Sequence, residues 1–143
     1  NYHLGMRAGS ENLSFEDAIQ SELDSLKNSK IKSDDDVKKY TVPRSYIAKG
    51  FYADQLKIWL KLFKSKQLFI TSTEDFESNA NNTLNKIYDF LEIPQINLKN
   101  LEKHKVASYP PMKDETRKFL VDLYKIHNEE LFRMISKEFD WNK

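Results

Sequence analysis

Cysteine is absent from the 143 residues, and glycine and proline are scarce, at 3 and 4 residues. Without cysteine, the sequence excludes a disulfide framework, a thiolate zinc site and a cysteine nucleophile. The low glycine and proline content excludes a low-complexity chain. No apolar run approaches the ~20 residues that span a bilayer, and no signal-peptide pattern is present. We therefore expect a folded, cytoplasmic protein without a membrane partner.

An excess of either charge is also missing, since 23 basic and 22 acidic residues leave a net charge of +1. No overall field draws such a chain to nucleic acid, so any anion site has to be local. Three scattered histidines make a poor metal site. The sequence therefore predicts no metal and no nucleic-acid partner, in a single domain over residues 1–143.

Helical periodicity dominates what is present. A helix is predicted over about 15–27, where Ser14 and Asp17, three residues apart, form a capping-box-like start. A second amphipathic helix is predicted within 43–63, with Gly50 near its start, and a third at about 79–92. Asp114 is a candidate cap for a helix that Asn128 could divide in two.

One segment favours a strand. Residues 67–72, "QLFITS", are short and mostly apolar, and polar stretches flank them. The predicted fold is therefore mainly α with a single short strand at about 67–72. Because a lone apolar strand is a liability, we expect it to pair with a second copy in a homodimer or to be covered by the chain's own helices.

Several motifs permit both a chemical and a structural interpretation. Glu74 and Asp75 follow the predicted strand, where catalytic carboxylates occur, but acidic residues also favour a helix start. His127 lies on an apolar stripe and is interpreted as a hydrogen-bonded core residue. The aromatic residues at core-like spacings are interpreted as packing residues; they are Tyr52, Trp59 and Trp141.

The loop "LEKHKVASYPPM", residues 101–112, offers cations and hydroxyls within a few positions. Phosphate recognition needs such groups, and they are Lys103, Lys105, Ser108 and Tyr109. A lysine-rich loop in a lysine-rich protein can also be a solvated connector. The residues alone leave both alternatives open.

The order of several segments resembles the carboxy-terminal half of the sulfotransferase family, near its heparan-sulfate-type and bacterial enzymes. The resemblance covers nearly the whole chain. It rests on the sequence of "RSYIAKGFYADQLKIWLKLF", "QLFITSTEDF", "TLNKIYDFLEIP", "SYPPM" and "LYKIHNEELFRMISKEFDW". It implies a P-loop-like α/β fold and transfer of the sulfuryl group of 3′-phosphoadenosine 5′-phosphosulfate (PAPS) to a hydroxyl or amine, without a metal.

The resemblance also implies site residues. It places Lys105, Ser108 and Tyr109 at nucleotide-facing positions of a loop that covers the cofactor, with Lys103 beside them. Candidate acceptor-side residues follow from position in the family pattern; they are Arg44, Tyr46, Lys49, Tyr52 and Gln55. For Tyr52 and Gln55 a packing role is an equal alternative.

The chain departs from the family pattern in two respects. Val106 and Ala107 stand where relatives carry glycine and arginine. The phosphosulfate-binding loop and the residues that hold the 3′-phosphate have no counterpart upstream, and no catalytic base can be assigned. We therefore expect a partial domain, inactive on its own, from a parent enzyme with a small-molecule or glycan acceptor. The alternative is a complete, non-catalytic helical interaction module.

Overall fold

A computed structural model describes residues 2–28, 45–99, 101 and 108–141. Its described residues contain six α-helices and two short 3₁₀ helices, and no strand. The α-helices are α1 (Tyr2–Arg7), α2 (Phe15–Asn28), α3 (Tyr52–Leu62), α4 (Thr73–Ser78), α5 (Ala80–Leu91) and α6 (Asp114–Ile135). The 3₁₀ helices are Ala48–Gly50 and Ser65–Gln67. The mainly helical prediction is confirmed in this part of the chain.

The chain clusters into two compact units, the first formed by Asn1–Trp59 with Met112–Lys143 and the second by Leu60–Pro111. In the first unit, Ala53 of α3 packs with Leu131 and Phe132 of α6. Five partly buried apolar residues extend this core; they are Leu56, Met134, Ile135, Phe139 and Trp141. An ion pair between Lys57 and Glu130, 2.6 Å long, joins the same two helices.

Helix α2 begins as its sequence predicts. The backbone N–H of Asp17 donates to Ser14 Oγ at 3.1 Å, and this hydroxyl donates to Asp17 Oδ2 at 2.6 Å. These bonds satisfy an amide that lacks a partner within the helix. Ala18 and Ile19 are buried one turn later, so the face defined by the apolar periodicity is the one that packs.

The second unit is built around α4 and α5. Ser72 Oγ caps α4 by accepting from the N–H of Asp75 at 3.0 Å, and Asn79 Oδ1 caps α5 by accepting from the N–H of Asn82 at 3.0 Å. The hydroxyl of Thr83 donates to the carbonyl of Asp75 at 3.2 Å and ties the two helices together. The predicted helix at 79–92 is confirmed.

The predicted strand at 67–72 is wrong. Gln67 ends a 3₁₀ turn, and 68–72 have no regular secondary structure, although Leu68 has extended dihedrals (φ −116°, ψ 120°). A strand needs a neighbouring strand for its backbone groups, and the described residues contain no strand that could pair with this segment. Ser72 instead serves the following helix as its cap. A homodimer through this segment stays a prediction.

Asn128 does not divide the last helix, because α6 runs unbroken from Asp114 to Ile135. Asn128 is buried, and the helix continues into the buried pair Leu131 and Phe132. The small helix-propensity cost of one asparagine, below about 1 kcal/mol, is outweighed by the burial of that pair. Asp114 is the first helical residue, and the cap position belongs to Lys113, whose side chain makes no capping bond.

Candidate functional site

The segment Ser45–Gln55 carries four of the five predicted acceptor-side residues, and we call it the acceptor segment. It consists of a buried entry at Ser45–Ala48, the 3₁₀ turn Ala48–Gly50 and the first turn of α3. Ile47 is 1% exposed, so the backbone here is surrounded by protein. Its polar groups therefore require protein partners.

Glu22 of α2 supplies most of those partners. Its Oε2 accepts from the N–H groups of Tyr46 at 2.6 Å and Ile47 at 2.8 Å. Its Oε1 accepts from the N–H of Ala48 at 2.9 Å and from Ser45 Oγ at 3.2 Å. Four donors thus converge on one carboxylate, and bonds to an ionised acceptor are stronger than those between neutral groups. Glu22 acts as a side-chain cap for the start of the 3₁₀ turn.

Tyr124 of α6 holds the same turn from another element. Its hydroxyl donates to the carbonyl of Ile47 at 3.0 Å, and its ring lies edge-on to Phe51 with centroids 5.8 Å apart. Burial raises the pKa of Tyr124 to about 12, with further contributions from the negative charge of Glu22 and from Tyr52. The neutral, donating phenol is therefore the stable form at neutral pH.

Glu11 fixes the other end of the Tyr46 side chain. This carboxylate is 2% exposed; its Oε2 accepts from Tyr46 Oη at 2.7 Å, and its Oε1 accepts from the N–H groups of Asn12 and Leu13 at 2.9 and 3.0 Å. The ring of Tyr2 packs edge-on against Tyr46 with centroids 5.8 Å apart. In this arrangement the hydroxyl of Tyr46 binds protein, and the acceptor-side role that the family resemblance implies for this residue stays a prediction.

The remaining predicted acceptor-side residues of the segment are Lys49, Tyr52 and Gln55. Lys49 is half-buried and Tyr52 is 51% exposed. Gln55 Nε2 donates to the carbonyl of Lys49 at 3.0 Å and more weakly to that of Phe51 at 3.4 Å, so it also braces the turn. The spacing of three residues places these side chains in successive turns, on a backbone that other elements hold in place. Arg44, the fifth predicted residue, lies outside the described residues.

A model of the sulfotransferase domain matches residues 14–143. The chain belongs to the sulfotransferase family. Relatives include the membrane-associated sulfotransferase kil1 of Dictyostelium discoideum, with 32% identity over 66% of this chain and 20% of the relative. The bifunctional heparan sulfate N-deacetylase/N-sulfotransferase 4 of Mus musculus is 28% identical over 68% of the chain and 14% of its own length.

Human carbohydrate sulfotransferase 15 is 30% identical over 64% of the chain and 18% of its own length. The chain therefore spans a fifth or less of these three relatives. Among solved structures, none matches.

The nucleotide-facing positions that the family pattern assigns are only partly described. Ser108 and Tyr109 lie in an irregular, exposed stretch that leads to Pro110 and Pro111 in the second unit. Lys103 and Lys105 lie outside the described residues. Their assignment to a nucleotide stays a prediction.

The structural interpretations of the remaining motifs mostly agree with the fold. Glu74 and Asp75 occupy the first turn of α4, the position where acidic side chains favour a helix. His127 is half-buried and its ring stacks on Phe51 with centroids 4.0 Å apart. Trp141 packs in the core, but Tyr52 and Trp59 are about half exposed because α3 turns Ala53 and Leu56 toward the core instead.

Two residues that shape the acceptor segment were not identified from the sequence, namely Glu22 and Glu11. Glu22 lies 24 residues before Tyr46, so spacing gives no indication of their contact. A sequence signal does exist, because Glu22 lies on a helical face that is otherwise apolar and includes Ile19 and Leu26. A carboxylate on a packing face requires donors.

Metal-ligating groups and membrane-spanning helices were sought only in the described ranges. No group of three or more potential metal-ligating side chains is present in them. None of their helices is long and apolar enough to cross a membrane.

Proposed function

We propose that this chain is the carboxy-terminal part of an enzyme that transfers the sulfuryl group of PAPS to a hydroxyl or amine. The match of the sulfotransferase domain to residues 14–143 carries this proposal. The complete domain would have the P-loop-like α/β fold that the family resemblance implies. Heparan sulfate and carbohydrate appear in the names of two relatives, which makes a glycan acceptor the first choice for this chain, with a small molecule as the alternative.

The acceptor segment supports the proposal because two other helices hold its backbone in place. Its backbone is held by Glu22 from α2 and by Tyr124 from α6, while Lys49 and Tyr52 extend from it. Transfer reactions depend on holding the acceptor atom close to the reacting group, and sites on rigidly supported elements do this best. In the proposed enzyme, Lys49 binds the acceptor, and Tyr52 and Gln55 either contact it or keep the turn packed.

The nucleotide side rests on the loop before Pro110. The described residues fit the group chemically, because Ser108 and Tyr109 are exposed residues that carry hydroxyls, and Tyr109 adds an aromatic ring. Lys105 would supply the cation that a phosphate requires, with Lys103 in a lesser role. PAPS, when bound, supplies the sulfuryl group and a phosphate leaving group. The chain's own contribution is then to cover the nucleotide and to orient the acceptor.

A radiolabel assay tests this function. The full-length protein is incubated with ³⁵S-labelled PAPS and three acceptor probes: N-desulfated heparin as an amine, chondroitin as a polysaccharide hydroxyl and 4-nitrophenol as a small hydroxyl. The proposal predicts transfer to at least one probe, and weaker transfer in Lys49→Ala than in Lys118→Ala. Lys118 is an exposed lysine on α6 and serves as a matched control. Absence of label from all three probes would contradict the proposal.

The rival function, a non-catalytic helical interaction module, makes a different prediction for nucleotide binding. A ligand that binds only the native state raises the melting temperature by mass action. Adenosine 3′,5′-bisphosphate at millimolar concentration should therefore stabilise the full-length sulfotransferase, whereas adenosine alone should stabilise it less. No shift with either compound favours the module. The cytoplasmic location also stays a prediction, since the Dictyostelium relative is named as membrane-associated.

A further inference from the structure

We propose that Glu22 is a positioning residue for sulfuryl transfer, because its carboxylate orders the entry of the acceptor segment. This inference rests on the proposed function. Glu22 would not touch the acceptor or the nucleotide. It would act through the backbone of residues 45–48, which leads directly into Lys49.

The number of bonds distinguishes Glu22 from an ordinary helix residue. Three consecutive amides and one hydroxyl donate to its two oxygens, at 2.6 to 3.2 Å. These amides open a 3₁₀ turn, and amides at a helix start have no partner within the helix. The carboxylate therefore supplies acceptors to four donors of one short stretch of backbone, residues 45–48.

The bonds continue from this entry to the predicted acceptor residues. The N–H of Ile47 binds Glu22, and its carbonyl accepts from Tyr124 Oη at 3.0 Å and from the N–H of Gly50 at 2.8 Å. Both peptide groups of Ile47 are thus fixed. Lys49 lies within this turn, and its own carbonyl is held by Gln55 at 3.0 Å. A shift of residues 46–48 must therefore move Lys49.

Glu22→Gln tests the role of the carboxylate separately from that of side-chain size, because it preserves the shape of the side chain. The amide can present only one oxygen, so its NH₂ group would face backbone N–H donors where the carboxylate presents an acceptor. Asp24→Asn is the matched control. It removes the same charge from the same helix at an exposed position, where Gln20 Nε2 donates to Asp24 Oδ1 at 2.9 Å.

The first measurement is hydrogen exchange in the full-length protein, read at single residues by mass spectrometry. In Glu22→Gln we expect exchange of the amides of Tyr46, Ile47 and Ala48 to accelerate at least tenfold. Asp24→Asn should leave them unchanged. Equal exchange in wild type and Glu22→Gln would overturn the inference, whatever the activity of the enzyme.

The second measurement separates positioning from stability. With ³⁵S-labelled PAPS and the best of the three probes, Glu22→Gln should raise the acceptor KM about tenfold or more, because a displaced Lys49 would lose its bond to the acceptor and a bond to a charged group is of that scale. The affinity for adenosine 3′,5′-bisphosphate should stay within about twofold. Ile19→Val, a buried change on α2, controls for stability by lowering the melting temperature without raising that KM.

Each remaining outcome is decisive. If Glu22→Gln does not fold, Glu22→Asp replaces it; its shorter carboxylate cannot reach all four donors, and an unchanged KM would overturn the inference. Transfer by wild type with equal KM in Glu22→Gln removes the positioning role and leaves the proposed function standing. A wild type that labels none of the probes overturns the proposed function and the positioning role together, while amide exchange still reports whether Glu22 holds the turn.

Discussion

Gly50→Ala should destabilise the protein, because Gly50 lies directly against the ring of Tyr124. A Cβ at position 50 would meet Tyr124 Cε1 at 2.6 Å and its Cζ and Oη at 2.8 Å. Ordinary carbon contacts lie at about 3.5 to 4.0 Å. The ring has little freedom to withdraw, since its hydroxyl bonds the carbonyl of Ile47 and its edge packs on Phe51.

The size of the effect follows from these contacts. Overpacking costs about 1 to 3 kcal/mol, and losing the Tyr124 hydrogen bond costs a further 0.5 to 1.5 kcal/mol, roughly. Alanine also restricts the unfolded chain, which returns up to about 1 kcal/mol. We therefore expect Gly50→Ala to lower the free energy of unfolding by about 0.5 to 4.5 kcal/mol.

Urea denaturation followed by circular dichroism measures this change. The control is Gly5→Ala in α1, where a Cβ meets Glu11 Cβ at a milder 3.2 Å, so a smaller loss is expected. In a Tyr124→Ala background the ring is gone, and Gly50→Ala should cost much less than in wild type. Equal costs in the two backgrounds, or a Gly50→Ala protein as stable as wild type, would refute the contact.

Further predictions concern other groups. Because the pKa of Tyr124 is raised to about 12, its phenol binds a proton more tightly in the folded state than in the unfolded state. Its contribution to stability is therefore complete below pH 10 and declines as pH rises toward 12. Tyr124→Phe should remove this component from the pH dependence of urea unfolding. Ser72→Ala should cost about 1 kcal/mol of unfolding free energy, since its hydroxyl caps α4, and an unchanged urea midpoint would contradict this. If Lys105 binds the nucleotide, Lys105→Ala should weaken the binding of adenosine 3′,5′-bisphosphate by about 1.5 to 3 kcal/mol, and Lys103→Ala should weaken it by less. Calorimetric titration measures both affinities. Affinities equal to that of wild type would identify the loop as a solvated connector.

The sequence predicted the helices well where local signals were strong. Residues 15–27 and 79–92 combine apolar periodicity with polar caps, and both helices form within a residue or two of those bounds. The segment 67–72 failed because a short apolar run has no strand character without a partner, and its last residue is used as a helix cap. Asn128 misled because propensity at one position is weaker than the packing of a whole helix.

The candidate site was likewise predicted only in part. The family pattern placed Lys49, Tyr52 and Gln55 on one segment, and the fold presents them in successive turns. It gave no indication of what supports that segment, because the bonds of Glu22 to residues 45–48 span 23 to 26 positions. Contacts between distant segments depend on how the helices pack, and a single sequence does not encode that packing in any local pattern.

The acceptor KM of Lys49→Ala in the full-length enzyme tests the central claim most directly, namely that residues 45–55 form the acceptor side of a sulfotransferase. With ³⁵S-labelled PAPS and the probe that wild type labels best, the account predicts a rise of about tenfold, as expected for a lost bond to a charged group. Lys118→Ala should match wild type, and the PAPS KM should be the same in all three proteins. An acceptor KM for Lys49→Ala equal to that of wild type would contradict the claim.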